Sequence, residues 1–272
     1  MPNKLLGQNF LKNSHVIKEI VAAIEISSGD IVLEIGPGHG ELTSELRAAS
    51  CERRVQIIAI EKDKALIPLL EEKFRDDVKI ISGDVLKELP SIIQDLKLST
   101  KGNFKIVGNI PYYVTGHLLR IISELDEKPS RCVFMVQKEV AMRIVAKPPD
   151  MSRLAASVQF WAEPEIIMKV PRKDFFPQPK VDSAVLLLKK KNKPIISDAV
   201  HYYTALRALF AQPRKTILNN VVNHKSQITN SKGEISKESV ARQLHALNIN
   251  PLDRPQDLSV AQIGEIAERF FI

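Results

Sequence analysis

Ile31-Val32-Leu33-Glu34-Ile35-Gly36-Pro37-Gly38-His39-Gly40 is the stretch from which the rest of the chain is read. Four aliphatic residues around a single Glu form a short strand buried on both faces. Three glycines at every second position then make a tight turn, and Glu41 to Ala49 is helical in spacing. The same strand–turn–helix unit recurs outward. Strands are expected at 55–60 ending at Glu61, at 78–82 ending in Gly83-Asp84, and at 104–107 ending in Gly108-Asn109-Ile110-Pro111-Tyr112. Two more are expected at 131–136 and 181–188, with helices at 15–26, 63–74, 117–124 and 137–146, while 154–161 gives mixed signals. Strands alternating with helices make βαβ units and a parallel sheet, in which ligands bind outside the carboxyl ends of the strands. Gly36–Gly40, Glu61, Asp84 and Asn109 all stand at such ends.

After Leu188 the texture changes. Lys189-Lys190-Lys191-Asn192-Lys193-Pro194 is a basic connector, and from Ile195 on the patterns are helical only, at 199–209, 214–222, 237–247 and 260–271. The expected division is a first domain over 1–190, whose opening segment 1–27 leads into the sheet, and a small all-helical domain over 195–272. Lys+Arg 39 against Asp+Glu 32 gives a formal charge of +7, an excess that favours a polyanionic partner. The longest apolar runs, such as Val185 to Leu188, are far too short to cross a bilayer, so no membrane is expected. Cys51 and Cys132 share no close-spaced motif, which excludes a disulfide scaffold and a Cys-based metal site. Met1-Pro2-Asn3-Lys4 shows no secretion pattern, and a reducing cytoplasm is the expected compartment.

The strand ends suggest a ligand. The dinucleotide fingerprint Gly-x-Gly-x-x-Gly would need a glycine at Glu41, and a negative charge there suits a pyrophosphate poorly. A nucleoside ligand without phosphates fits better, with the glycines letting the backbone approach an amino-acid-like group; a plain tight turn is the simpler alternative. Glu61 can accept from both hydroxyls of a ribose, or stand as a solvated acid at a helix start. Asp84 can accept from an adenine amine, or cap the following helix. Taken together in chain order, these positions match the methionine, ribose and adenine of S-adenosylmethionine. Asn109-Ile110-Pro111-Tyr112 is the most specific signal: Pro111 turns the extended chain outward, leaving the Asn109 amide oxygen and the Ile110 carbonyl as acceptors beside the Tyr112 ring. Two acceptors on the N–H bonds of a base favour a more pyramidal, more nucleophilic nitrogen.

These residues resemble the S-adenosylmethionine-dependent ribosomal RNA adenine dimethyltransferases, of the small-subunit type linked to kasugamycin sensitivity. The resemblance rests on Leu6-Gly7-Gln8-Asn9-Phe10-Leu11, Glu34 to Gly40, Gly83-Asp84, Asn109 to Tyr112, Gln137 to Ala141, Phe175 to Ser183, Arg214-Lys215-Thr216 and Arg254-Pro255, and covers essentially the whole chain. It implies a Rossmann-like α/β methyltransferase domain, with segment 1–27 closing over the cofactor, and a small C-terminal helical domain that contacts rRNA. It implies S-adenosylmethionine binding at Gln8, Asn9, Leu11, Gly36, Gly38, Glu61, Lys62, Asp84, Val85 and Asn109. Catalysis falls to Asn109, Ile110, Pro111 and Tyr112, with Phe175 stacking on the other face of the base; burial in the core is the commoner fate of a Phe. The implied substrate is a pair of adjacent adenosines near the 3′ end of small-subunit rRNA, each methylated twice at N6 within a pre-ribosomal subunit by a monomeric enzyme that uses no metal. Ile110 stands where Leu is common and is what large-subunit, macrolide-resistance relatives carry; Gln137-Lys138-Glu139 and the tail with Arg214-Lys215-Thr216 favour the small-subunit type. Lys189, Lys190, Lys191, Arg207, Arg214 and Lys215 are expected at RNA phosphates, the alternative for each being a solvated basic face. A non-catalytic assembly factor on the same fold is the rival reading.

Overall fold

The computed structural model describes residues 7–51, 53–100, 104–193, 196, 198–224 and 236–271. The part of the expected cofactor-closing segment before Gly7 lies outside these residues, as do Pro194 and Ile195 of the connector. In chain order the elements are β1 (Phe10–Leu11), α1 (Ser14–Ile24), β2 (Ile31–Ile35), α2 (Glu41–Ser50), β3 (Gln56–Glu61), α3 (Ile67–Phe74), β4 (Val78–Ser82), α4 (Val85–Thr100), β5 (Phe104–Asn109), α5 (Thr115–Glu124), β6 (Arg131–Gln137) and α6 (Lys138–Val145). There follow α7 (Arg153–Trp161), β7 (Ala162–Val170), β8 (Phe175–Phe176), β9 (Ser183–Lys190), α8 (Ala199–Leu209), α9 (Ile217–Asn223), α10 (Lys237–Ala246) and α11 (Val260–Phe270).

Seven strands form one sheet in the order β4-β3-β2-β5-β6-β9-β7. β4, β3, β2, β5 and β6 run parallel, and β9 pairs antiparallel with β6. The continuous apolar run of β2 reflects its central place, since every one of its residues is buried. β1 and β8 make a separate two-stranded ribbon.

The amino ends of the central strands are stapled to α1. Lys105, near the start of β5, reaches Asp30 Oδ2 at 2.6 Å and the Glu25 carbonyl at 2.5 Å, and Asp30 also accepts from the Ser27 N–H at 2.6 Å. Arg131, at the start of β6, donates to the Ala23 carbonyl at 3.0 Å and pairs with Glu25 at 2.5 Å. Both Lys105 and Asp30 are buried. These contacts close α1 at a left-handed Glu25.

The chain divides into two units, Met1–Met142 with Glu163–Lys190, and Arg143–Ala162 with Lys191–Ile272. A division at 190 alone therefore misses that Arg143–Ala162 packs with the helical unit. The reason lies within that unit: Phe160 stacks on Tyr202 at 4.0 Å, and the Tyr202 and Tyr203 hydroxyls donate to the carbonyls of Ala156 and Ser157 at 3.0 and 3.3 Å. The mixed pattern at 154–161 resolves as α7, capped by the Ser152 side chain. Four elements have no counterpart in the sequence reading, the short strands β1 and β8, and α4 and β7. α4 carries Pro90 inside it, and β7 opens Ala162-Glu163-Pro164-Glu165, a composition tolerated because β7 is an edge strand. The tail helix expected from 214 starts only at Ile217, where Thr216 caps it. Among the described residues no helix is long and apolar enough to cross a membrane.

Replacing Lys105 by Met removes the ammonium paired with the buried Asp30 carboxylate. Urea denaturation is expected to show a loss of about 3–5 kcal/mol. Asp30→Asn added to that chain should recover part of the loss; no recovery would show that the two charges are not coupled.

Candidate active site

Strand register builds the site. Ile35 at the end of β2 lies level with Ile60 of β3 and Gly108 of β5, and Glu61 lies level with Ser82 of β4. The residues that follow these positions therefore converge on one cleft of about 780 Å³, open to solvent at its mouth. Gln8, Asn9, Gly36, Gly38, Glu61, Lys62, Asp84, Val85, Asn109, Ile110, Pro111 and Tyr112 all line it. The glycine turn is shaped for close approach. Gly36 and Gly38 have φ of 67° and 61°, in the left-handed region. A Cβ at Gly36 would meet only the Asn109 carbonyl at 3.9 Å, whereas one at Gly38 would lie 2.9 Å from the Phe10 ring.

The acidic residues are held by backbone and by lysine. Glu61 is buried, not a solvated helix-start acid; its carboxylate accepts from the N–H groups of Gly38 at 3.1 Å and Asp63 at 2.8 Å. Burial raises its pKa, and those N–H donors act against the rise. A carboxylate offers about four acceptor positions; the backbone N–H groups of Asp63, Gly38 and Lys62 bear on this one, which leaves room for a ribose hydroxyl. Asp84 takes the capping role, and its position leaves it at the cleft. It caps α4 through Oδ1 to the Leu86 N–H at 3.0 Å while Oδ2 pairs with Lys62 at 2.8 Å. Burial pushes its pKa up, but Lys62 and the Leu86 N–H outweigh this and hold it below the usual carboxylate range. These groups fit a ligand with an amino acid, a ribose and an adenine.

At the end of β5 the Asn109 side chain donates Nδ2 to the Asn9 carbonyl at 2.7 Å, which leaves Oδ1 as an acceptor. The Ile110 N–H donates to the Met135 carbonyl at 3.1 Å, tying the turn to β6. The Tyr112 hydroxyl bonds Ser183 Oγ at 2.7 Å, and burial pushes its pKa up, so the ring is fixed and neutral. The segment over the cleft is latched by Gln8 Nε2 to Asp63 Oδ2 at 2.8 Å and by the Phe10 ring 4.2 Å from His39. Asp63 was not among the expected site residues; its signal is its place two residues after Glu61, at the same strand end.

Some expected residues lie elsewhere. Leu11 is buried and lines a smaller cavity behind the glycine turn, with Glu34 and Leu42. Phe175 does not line the cleft. It is 4% exposed within the core, opposite Leu11 in the β1–β8 ribbon, while Phe176 is 55% exposed. The correction follows from the pleat, which turns one of two adjacent strand residues inward and the other outward. Lys189 and Lys190 end β9 and are not connector; Lys189 pairs with Glu165 at 3.1 Å. Lys191 donates Nζ to the Gln159 carbonyl at 2.5 Å, so its ammonium is bound within the chain. Arg207 is exposed on α8, 3.1 Å from Thr204 Oγ1. Arg214 and Lys215 are exposed in the turn before α9. That turn is organised by the fully buried Asn220, whose amide donates to the carbonyls of Gln212, Lys215 and Thr216 at 3.0, 3.3 and 3.2 Å. One Asn among the three of α9 carries no sequence signal for that work.

A family model described as ribosomal RNA adenine dimethylase matches residues 2–252. This chain belongs to that family. It is 39% identical over 273 residues to the ribosomal RNA small subunit methyltransferase A of Geobacillus thermodenitrificans, covering 97% of this chain and 89% of that protein. The protein of the same name from Moorella thermoacetica is 36% identical over 277 residues, covering 98% and 92%. Among solved structures, a dimethyladenosine transferase from Plasmodium falciparum superposes with a TM-score of 0.74 at 24% identity, over 97% of this chain and 100% of that one. The 23S rRNA methyltransferase ErmE superposes with a TM-score of 0.72 at 24% identity, over 96% and 99%. These two likenesses establish the fold, an α/β sheet of the Rossmann-like type. The family is S-adenosylmethionine-dependent, and this chain is an rRNA adenine dimethyltransferase by membership.

Two outcomes follow. Gly38→Ala forces a left-handed alanine against Phe10 and is expected to weaken S-adenosylmethionine binding roughly 10-fold, read by calorimetric titration. Glu34 is fully buried in β2, and neither of its carboxylate oxygens nor the Thr43 hydroxyl beside it meets hydrogen-bond geometry. Burial, reinforced by Glu61 and Glu41, pushes it from 4.5 up to about 8. Between those values the unfolded chain gives up a proton that the folded chain keeps. The stabilisation is therefore full below pH 4.5 and is lost as pH rises to about 8. Glu34→Gln does not titrate, so its melting-temperature advantage over the parent should grow from acid to about pH 8 and then level off; a constant difference would contradict the burial assignment.

Proposed function

We propose that the chain dimethylates N6 of two adjacent adenosines in the 3′-terminal loop of small-subunit rRNA, acting as a cytoplasmic monomer on a late small-subunit precursor. The observation that carries this reading is the Asn109 side chain, turned by the Asn9 carbonyl so that its Oδ1 is an acceptor on the cleft wall. The curated relatives, named for the small subunit at 36–39% identity, support that target over the large subunit.

S-adenosylmethionine, when bound, supplies a methyl group on a positively charged sulfur. Gly36 and Gly38 would hold its amino-acid part, Glu61 its ribose and Asp84 its adenine. The remaining work belongs to the Asn109–Tyr112 turn. An adenine amine is a weak nucleophile because its lone pair is delocalised into the ring. In the first transfer Asn109 Oδ1 and the Ile110 carbonyl accept its two N–H bonds and favour the pyramidal form; in the second, one of them holds the single N–H that remains. Tyr112, held through Ser183, offers its ring to the base, which must leave its own stack to enter. Orientation supplies most of the acceleration. No strong base is needed, since the alkylated nitrogen is acidic enough to lose its proton to water.

The test offers labelled S-adenosylmethionine with immature small subunits and, separately, with large-subunit rRNA, followed by mass spectrometry of the nucleosides. N6,N6-dimethyladenosine in the small-subunit 3′ loop is expected. Label in large-subunit rRNA would move the assignment to that target, and no label in either would remove it. Asn109→Ala should keep part of the cofactor affinity and lose methylation by a factor of about 100 or more; full activity would end the assigned role.

A further inference from the structure

Phe176 is a large aromatic ring left 55% exposed beside a functional cleft. Folding does not ask for an aromatic there, because the core side of the ribbon is filled by its neighbour Phe175. Phe176 pairs with Phe10 across β1 and β8, and directly opposed residues of a ribbon share a face. Phe10 lines the cleft, so the exposed ring stands one strand spacing from its wall. Lys12 Nζ sits 4.3 Å from the ring centroid.

The ribbon and loop that carry the ring hold four cationic side chains against two carboxylates. Lys12, Arg172, Lys173 and Lys180 are all exposed. The two carboxylates of the same loop are engaged: Asp174 Oδ2 accepts from the Asn13 amide at 2.8 Å, and Asp182 Oδ1 from the Arg172 N–H at 3.0 Å. The loop is also tied down by the Lys12 N–H to the Asp174 carbonyl at 2.8 Å and by the Lys138 N–H to the Asp182 carbonyl at 3.0 Å. A pre-ordered ring costs little further ordering when a ligand lands on it. An aromatic face with lysine and arginine around it is the chemistry that takes single-stranded nucleic acid, bases on the ring and phosphates on the cations.

We propose that Phe176, with Lys12, is a stacking platform outside the cofactor cleft that grips a nucleotide flanking the methylated adenine. This rests on the rRNA reading above and extends it to the neighbouring nucleotide. Phe176 is then a substrate-positioning residue, and its loss should appear in the KM for RNA and not in cofactor binding.

The experiment measures methyl transfer to small subunits lacking N6,N6-dimethyladenosine by the parent, Phe176→Ala, Phe176→Leu and Phe176→Trp. Phe176→Ala and Phe176→Leu are expected to raise the KM for RNA about 5- to 150-fold, and Phe176→Trp to stay near the parent. Calorimetric S-adenosylmethionine affinity and melting temperature should not move in any of them. Lys12→Gln should lower the salt slope of RNA binding by about 0.7. Leu rescuing as well as Trp, or a loss that tracks melting temperature, would make the ring a structural residue and overturn the platform. A parent that methylates while Phe176→Ala equals it removes this proposal alone. A parent that methylates no rRNA removes the underlying reading and this one with it.

Discussion

The parallel register of β2 with β3 and β5 is the constraint on which the site depends. Ile35 level with Ile60 and with Gly108 places the glycine turn, Glu61 and Asn109 at one height. A slip of one residue would flip each strand's side chains to the opposite face and pull these groups out of line. The register is held by backbone hydrogen bonds among strands whose residues are nearly all buried, so the chemistry at the carboxyl ends inherits the rigidity of the core.

The two ends of the sheet are used differently. At the amino ends, Lys105, Asp30, Glu25 and Arg131 satisfy one another and fasten α1. At the carboxyl ends, polar groups are only partly satisfied within the chain. Asn109 keeps an acceptor, Glu61 and Asp84 keep lone pairs, and a Cβ at Gly36 would meet only the Asn109 carbonyl, at 3.9 Å. Glu34 lies next to this turn and is the clearest cost, a buried carboxyl whose burial outweighs Thr43 and Lys73 and favours the protonated form.

The β1–β8 ribbon joins the segment over the cleft to the Phe-Pro loop. Its inward pair, Leu11 and Phe175, packs in the core, and its outward pair, Phe10 and Phe176, serves the cleft and the solvent side. The segment Gln8–Phe10 on the cleft wall is thereby joined in one piece of backbone to the loop that carries Phe176.

By itself the sequence determined the alternation of strands and helices, the four strand-end positions and the Asn109–Tyr112 turn, because these are written in local periodicity and in glycine and proline, whose backbone limits act within a few residues. The family motifs added the cofactor and the reaction. Only the tertiary structure decided what depends on partners far along the chain. It turned Phe175 inward and Phe176 outward through pairing with β1. It bound Lys189 to Glu165 and Lys191 to Gln159, where the sequence alone puts a run of lysines at RNA phosphates. It brought Asp63 to Gln8 across 55 residues and made Asn220 the holder of the Arg214–Lys215 turn. It assigned Arg143–Ala162 to the helical unit. A side chain's burial and hydrogen-bond partner are properties of the packed chain, so neither is contained in the residue's type or in its neighbours along the sequence.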